Sequence, residues 1–171
     1  MTEDGQLHCD RETFCAIGTS GRRVGDENRG AKVKQANAML AIETRRQGLI
    51  EITRQITDWV ALQDMAAGLL TIFCRHTSAS LLIQENAAPE VRGDLEAYFA
   101  RIAPEDPSAY AHDDEGPDDM PAHLRTALTQ VQPSIPLIDG CLALGTWQGI
   151  YLFEHRRRPH RRELALHLIG E

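Results

Sequence analysis

The residues best equipped to do chemistry lie in HDDEGPDDMPAH, positions 112–123, where His112 and His123 bracket Asp113, Asp114, Glu115, Asp118 and Asp119. Asp119 and His123 are four residues apart, so on a helix beginning near Asp119 they share one face and converge, as metal ligands or an acid–base pair must. Hard carboxylate oxygens suit Mg²⁺, whereas two or three neutral imidazoles suit Zn²⁺ or another transition ion. A divalent metal, Mg²⁺ or Zn²⁺, is therefore expected on His112, Asp119 and His123. The same composition also describes a solvated acidic loop in which Asp118 or Asp119 caps a helix whose first turn holds Pro121.

Two other stretches concentrate functional groups. His76 sits at a strand end in HTSAS, beside Thr77 and Ser78, whose hydroxyls can hold phosphate oxygens without adding charge; a histidine there equally serves as a structural group. The next strand ends in Glu85 and Asn86. Were the two strands a hairpin, His76 and Glu85 would lie near its opposite ends, so they are not paired. In GTWQGIYLFEHR the strand phase puts Gln148, Ile150, Leu152 and Glu154 on one face, with Trp147, Tyr151, Phe153 and His155 on the other. Trp147, and Tyr98 elsewhere, can stack on a heterocycle, although a tryptophan also fills cores. Gln148 has no apolar role. RRRPHRR reads as an exposed turn whose five arginines meet phosphate or the protein's own acids.

The elements that must position these groups follow from periodicity. Leu40, Ile42 and Thr44 alternate with Ala41, Glu43 and Arg45 as in a strand, and Gly48 turns the chain. Residues 56–65 read as a short helix with Ile56, Val60 and Met65 inward and Asp58 near its start. Strands are expected over 69–76 and 80–85, the first apolar on both faces, as in a strand buried twice or set at a subunit contact. Pro89 opens the longest helix, with Val91, Leu95, Tyr98 or Phe99, and Ile102 at helical spacing. A second short helix spans 121–129, and strands broken by Gly140, Gly145 and RRRPHRR complete the chain. Many strands and few helices define an α+β, mainly β fold: an antiparallel β-sandwich with flanking short helices.

Composition bounds the function. The 171 residues are 42% hydrophobic and 25% charged, as expected of one globular domain. Residues 1–37 lack an apolar period and read as a flexible N-terminal extension before a domain at 38–171; the abrupt change near Met39 suggests that translation naturally starts there. The net charge of −7 argues against nucleic acid as partner, and the lack of a long apolar run argues against a membrane. A cytoplasmic location is expected, with Cys9, Cys15, Cys74 and Cys141 as incidental thiols.

Together, HTSASLLIQEN, EGPDDMPAH and SIPLIDGCLALGTWQGIYLFEHR resemble the YjbQ family of secondary thiamine-phosphate synthases, in the same order and spacing from about Met39 to Glu171. The resemblance implies a β-sandwich assembled as a homotrimer with sites near subunit interfaces. It also implies a weak thiamine-phosphate synthase activity, joining a hydroxymethylpyrimidine pyrophosphate to a thiazole phosphate with release of pyrophosphate. The family's polar motif positions fall on His76, Thr77, Ser78, Glu85, Asn86, His112, Glu115, Asp118, Asp119, His123, Thr146, Gln148, Glu154 and His155. Cys141 departs from the pattern, since a basic residue is common there.

For that reaction the small phosphorylated substrate meets Thr77, Ser78, Glu85, Asn86, Thr146, Trp147, Gln148, Glu154, His155 and Arg156, while His76, His112 or His123 protonates the leaving oxygen. Two other functions fit the same residues. One is a metal-dependent hydrolase or lyase with His76, His112 and His123 on a transition ion and Glu115 or Asp119 as general base. The other is a non-enzymatic binder of a small anionic metabolite.

Overall fold

The computed structural model describes residues 32–112 and 114–171. Cys9, Cys15 and Asp113, and the expected extension up to residue 31, lie outside them.

Two antiparallel sheets pack face to face. The larger has the order β1-β8-β3-β5-β6, formed by β1 (Lys34–Thr44), β8 (His160–Gly170), β3 (Gly68–Cys74), β5 (Ser134–Ile138) and β6 (Cys141–Leu142). The smaller has the order β2-β7-β4, from β2 (Gly48–Glu51), β7 (Gln148–Glu154) and β4 (Ala79–Glu85). Their facing sides supply Ile42, Leu70, Ile72, Leu81, Ile150, Leu152, Leu164, Leu166 and Leu168 to the core. Helix α1 (Thr53–Ala61) adds Ile56 and Val60 to the same core. This is the α+β, mainly β sandwich that the patterning implies.

The smaller sheet is covered on its other face too. Tyr151 and Phe153, the alternate residues of β7, pack with Leu49 against Leu95 and Phe99 of helix α2 (Pro89–Ile102). Phe99 meets Phe153 edge to face at 5.3 Å between ring centres. Helix α3 (Asp119–Ala127) buries Pro121, Ala122, Arg125 and Thr126 and contacts β4. Every residue of β7 except Gln148 is buried, which explains why QGIYLFE is apolar on both faces.

Three expectations need correction. The first strand begins at Lys34, inside the segment read as a flexible extension, because Lys34–Ala38 pair through backbone with β8 residues 166–170 and that pairing requires no particular side chains. Helix α1 starts at Thr53 and stops at Ala61, so Asp58 is interior and Met65 reaches the core from the following turn, where Asp64 has φ 49°. β3 and β4 lie in different sheets, with residues 75–78 crossing from the larger to the smaller. α3 begins two residues earlier than expected, at Asp119.

One side of β3 is exposed. Leu69 and Phe73 stand on the outer face of the larger sheet with Met39, Ile138 and Ile169, all more than a third accessible.

Candidate functional site

The β7–β8 connection and the start of α3 meet at the end of the sandwich where β7 finishes. Gly116, at φ 105°, turns the acidic segment back so that Asp118 and Asp119 enter the protein. Asp119 is 2% exposed and Asp118 8%. Asp118 occupies the N-cap position but makes no capping bond. Its Oδ2 instead accepts the Arg157 amide at 2.8 Å and the Arg156 Nε at 3.3 Å. The expected cap fails because a buried arginine offers a charge-assisted partner where a helix amide offers a neutral one. Burial alone would raise the Asp118 carboxyl, but the Arg157 amide and the Arg156 charge outweigh it and hold it below the usual range.

Asp119 divides its two oxygens. Oδ1 accepts Nη1 of Arg156, while Oδ2 lies 2.8 Å from His112 Nε2 and 3.7 Å from His123 Nε2. The two imidazoles are 5.7 Å apart between ring centres. One ligand atom from each of His112, Asp119 and His123 fits within a 4.8 Å span.

His123 shows what this arrangement demands. Its Nδ1 lies 3.1 Å from the Thr77 carbonyl oxygen, which only accepts, so Nδ1 carries the proton. In the neutral ring, Nε2 then turns a lone pair toward the Asp119 carboxylate. Two acceptors facing each other call for a cation or a proton between them, and a carbonyl-bound Nδ1–H is the support that metal-binding histidines use. Two imidazoles and one carboxylate, partly open to solvent, are a donor set that fits a transition ion with free coordination positions.

Arg156 is 8% exposed. Besides Asp118 and Asp119 it donates Nη2 to the Glu115 carbonyl at 2.8 Å and places Nη1 3.4 Å from the Glu115 carboxylate. Its amide donates to Glu154 Oε1 at 2.9 Å. Glu154, fully buried, is held in two places by Arg162, Nε to Oε2 at 2.7 Å and Nη2 to Oε1 at 2.5 Å, and accepts the Thr44 hydroxyl at 2.8 Å. Strands β1, β7 and β8 thus fix the guanidinium that holds Asp119.

His155 is also fully buried, between Phe153 at 4.3 Å and Ser80, whose hydroxyl lies 2.8 Å from Nε2. Burial, reinforced by the nearby Arg125 and Arg162 charges, drives its pKa down to about 3. The unfolded chain therefore takes up a proton near pH 6.5 that the folded chain refuses, and stability declines as pH falls from there toward 3. At pH 5 the loss from this residue is about 2 kcal/mol. Urea denaturation at pH 7 and pH 5 measures it, and His155→Gln should flatten that part of the profile.

The remaining candidates fall in three places. His76 accepts the Glu163 amide on Nε2 at 2.7 Å, and burial with the Arg162 charge lowers its pKa, so it ties β3 to β8 as a neutral ring. Exposed Thr77 and half-buried Ser78 lie beside His123 and Arg162 through their carbonyls. Glu85, Asn86, Thr146, Trp147 and Gln148 occupy the other end of the smaller sheet: β4 and β7 pair from Ala79↔Glu154 to Glu85↔Gln148, a separation of about 20 Å. There the Asn86 amide donates to the Trp147 carbonyl at 3.0 Å, Gln148 accepts the Gly145 amide at 2.8 Å, and Trp147 is 63% exposed. Glu154 and His155 have no surface for a substrate, and Arg156 is committed to carboxylates. Five arginines in a row of seven gave no sign that Arg156 and Arg162 are buried while Arg157, Arg158 and Arg161 are not.

Fold and site together define an antiparallel β-sandwich protein with a histidine–carboxylate cluster at one end. The chain matches the family model described as UPF0047 protein YjbQ-like over residues 38–171, and it belongs to that family. The UPF0047 protein sll1880 of Synechocystis is 49% identical over 141 residues, covering 82% of this chain and 96% of the relative. The UPF0047 protein YjbQ of Salmonella typhimurium is 42% identical over 133 residues, 77% and 96% of the two chains. Among solved structures, a YjbQ/UPF0047 family protein of Clostridium acetobutylicum superposes with TM-score 0.69 at 31% identity, covering 75% of this chain and 97% of the other. A hypothetical protein of Aeropyrum pernix gives 0.71 at 27% identity, covering 80% and 99%. None of these names states an activity. Among the described residues no helix is long and apolar enough to cross a membrane.

Proposed function

We propose that this chain is a metal-dependent enzyme acting on a small phosphorylated substrate, with one divalent ion held by His112, Asp119 and His123. The observation that carries this reading is the convergence of His112 Nε2 and His123 Nε2 on one oxygen of the buried Asp119 carboxylate, with His123 Nδ1 held on the Thr77 carbonyl. Two imidazoles favour Zn²⁺ over Mg²⁺. Such an ion, when bound, polarises a phosphoryl oxygen or a water. Exposed Thr77, whose carbonyl meets His123, brings a hydroxyl that can donate to a phosphate oxygen, and exposed Glu115 at the rim can serve as an acid or base.

The specific reaction is the one the family resemblance implies: weak thiamine-phosphate synthase activity, with pyrophosphate leaving from the hydroxymethylpyrimidine partner. A second reading is metal-dependent hydrolysis. It is favoured by Glu115, whose carboxylate is 72% exposed yet tethered by Arg156 and so suits a general base.

The working unit in this reading is a homotrimer in the cytoplasm. The exposed Met39, Leu69, Phe73, Ile138 and Ile169 on one sheet face support self-association. A site between subunits would also unite the Trp147 end of one chain with the histidine end of another, which one chain keeps about 20 Å apart.

The test is an assay of purified protein with both thiamine precursors, with Zn²⁺ or Mg²⁺ supplied, alongside His123→Ala. Slow thiamine phosphate formation, dependent on zinc and lost in the variant, is expected. Zinc-dependent phosphoester hydrolysis without the synthase product would transfer the assignment to the second reading, and turnover indifferent to chelation would sink both.

A further inference from the structure

The geometry points to Arg156 as the residue that sets how Asp119 binds the ion and therefore which ion the site prefers. This inference rests on the metal reading above. Asp119 is the only carboxylate in the three-residue cluster, and Arg156 Nη1 occupies its Oδ1. Only Oδ2 faces the two imidazoles, so Asp119 ligates through one oxygen.

Large hard ions such as Ca²⁺ collect six to eight oxygens and often take a carboxylate through both. A four-coordinate ion such as Zn²⁺ needs one. By withholding Oδ1, Arg156 removes an oxygen that a harder ion would use and leaves intact the set that suits zinc.

Arg156 cannot swing away to release that oxygen. Its Nε is on Asp118, its Nη2 on the Glu115 carbonyl and its own amide on Glu154. Glu154 is in turn fixed by Arg162 and Thr44. The guanidinium thus acts through Asp119 and never touches the ion: it is a positioning residue, and a planar fork spanning two carboxylates is a task for arginine and not for lysine.

Zinc, calcium and magnesium affinities measured by competition with a chromophoric chelator, and the visible spectrum of the cobalt(II)-substituted protein, test the assignment on the full chain. Arg156→Met should weaken zinc binding about 10- to 100-fold, the usual effect of losing an outer-shell partner. It should also narrow the preference for zinc over calcium and magnesium, and reduce the intensity of the cobalt bands as the coordination number rises. Arg158→Met removes one positive charge from the same loop at an exposed residue that holds neither Asp118 nor Asp119, and its zinc affinity should stay within about threefold of wild type. Should Arg156→Met fail to fold, Arg156→Lys is read by the same criteria, because an ammonium cannot bridge both carboxylates.

A folded Arg156 variant with wild-type affinity, preference and cobalt spectrum overturns the assignment. So does an Arg158→Met effect as large as that of Arg156→Met, which would mean a general effect of charge. A wild-type protein that binds none of these ions removes the metal reading together with the inference, whereas unaffected variants of a metal-binding wild type remove the inference alone.

Discussion

Replacing Glu154 with alanine is expected to cost about 3–5 kcal/mol of folding stability, the penalty for leaving a buried charge without its partner. Arg162 is 4% exposed and spends Nε and Nη2 on the two Glu154 oxygens. Its other described bond is a longer one, Nη2 to the Ser78 carbonyl at 3.3 Å. Without Glu154 the Arg156 amide and the Thr44 hydroxyl lose their acceptor as well. A lower urea midpoint reads the loss, provided the slope of the transition is unchanged. Glu154→Met combined with Arg162→Met should be milder than either single change, because removing both charges leaves no orphan.

The same pair predicts a fall in acid distinct from that of His155. Burial pushes Glu154 up, but the Arg162 hydrogen bonds, the Arg156 amide and the Arg162 charge outweigh it, and its pKa lies below the ordinary 4.5. A carboxylate lowered by folding contributes its stability above the unfolded pKa and loses it as pH falls through the folded one. The Glu154 contribution is therefore intact at pH 5, where that of His155 is already declining. Unfolding measured at steps from pH 7 to pH 3 should show two successive declines, the lower one reduced in the double methionine variant to what the lowered Asp118 still contributes.

His123→Ala is expected to reduce zinc affinity by more than about 100-fold, beyond what loss of an outer-shell partner costs. The change deletes one of the three proposed ligands and the side chain that links the site to the Thr77 carbonyl of the sheet crossover. Stability should change little, since His123 is about one third exposed and packs into neither hydrophobic cluster. Titration calorimetry with zinc and thermal unfolding of the metal-free protein separate the two effects. A large drop in the apo melting temperature with unchanged zinc affinity would assign His123 a structural role instead.

The parts of the fold legible from sequence are those whose side chains answer to one local rule. Pro89 marks the start of α2 because it fits the first helical turn, and Leu95 and Phe99 lie inward because helical spacing puts them together. The two faces of β7 follow from the period of two, which puts Ile150 and Leu152 in one cluster and Tyr151 and Phe153 in the other. Asp119 and His123 share a face because they are four apart on a real helix, and that half of the site is local.

What was not legible depends on contacts distant in sequence. Nothing in HTSAS indicates that residues 75–78 cross between sheets, or that the Thr77 carbonyl meets a histidine 46 residues later. The pairing of Lys34–Ala38 with β8 is a backbone matter that polar side chains conceal, although Ala36 and Ala38 do continue the inward alternation of Leu40 and Ile42. Arg156 and Arg162 are indistinguishable by type from their exposed neighbours. What buries them is a surplus of inward carboxylates, Asp118, Asp119 and Glu154, brought from two other places in the chain.

The central claim is that His112, Asp119 and His123 bind one transition ion. Crystals grown with zinc, with diffraction recorded above and below the zinc absorption edge, test it most directly. The account predicts one anomalous peak per chain, about 2.0–2.2 Å from both Nε2 atoms and from Asp119 Oδ2. No peak at that point, with His112 still bonded to Asp119 in saturating zinc, would contradict it.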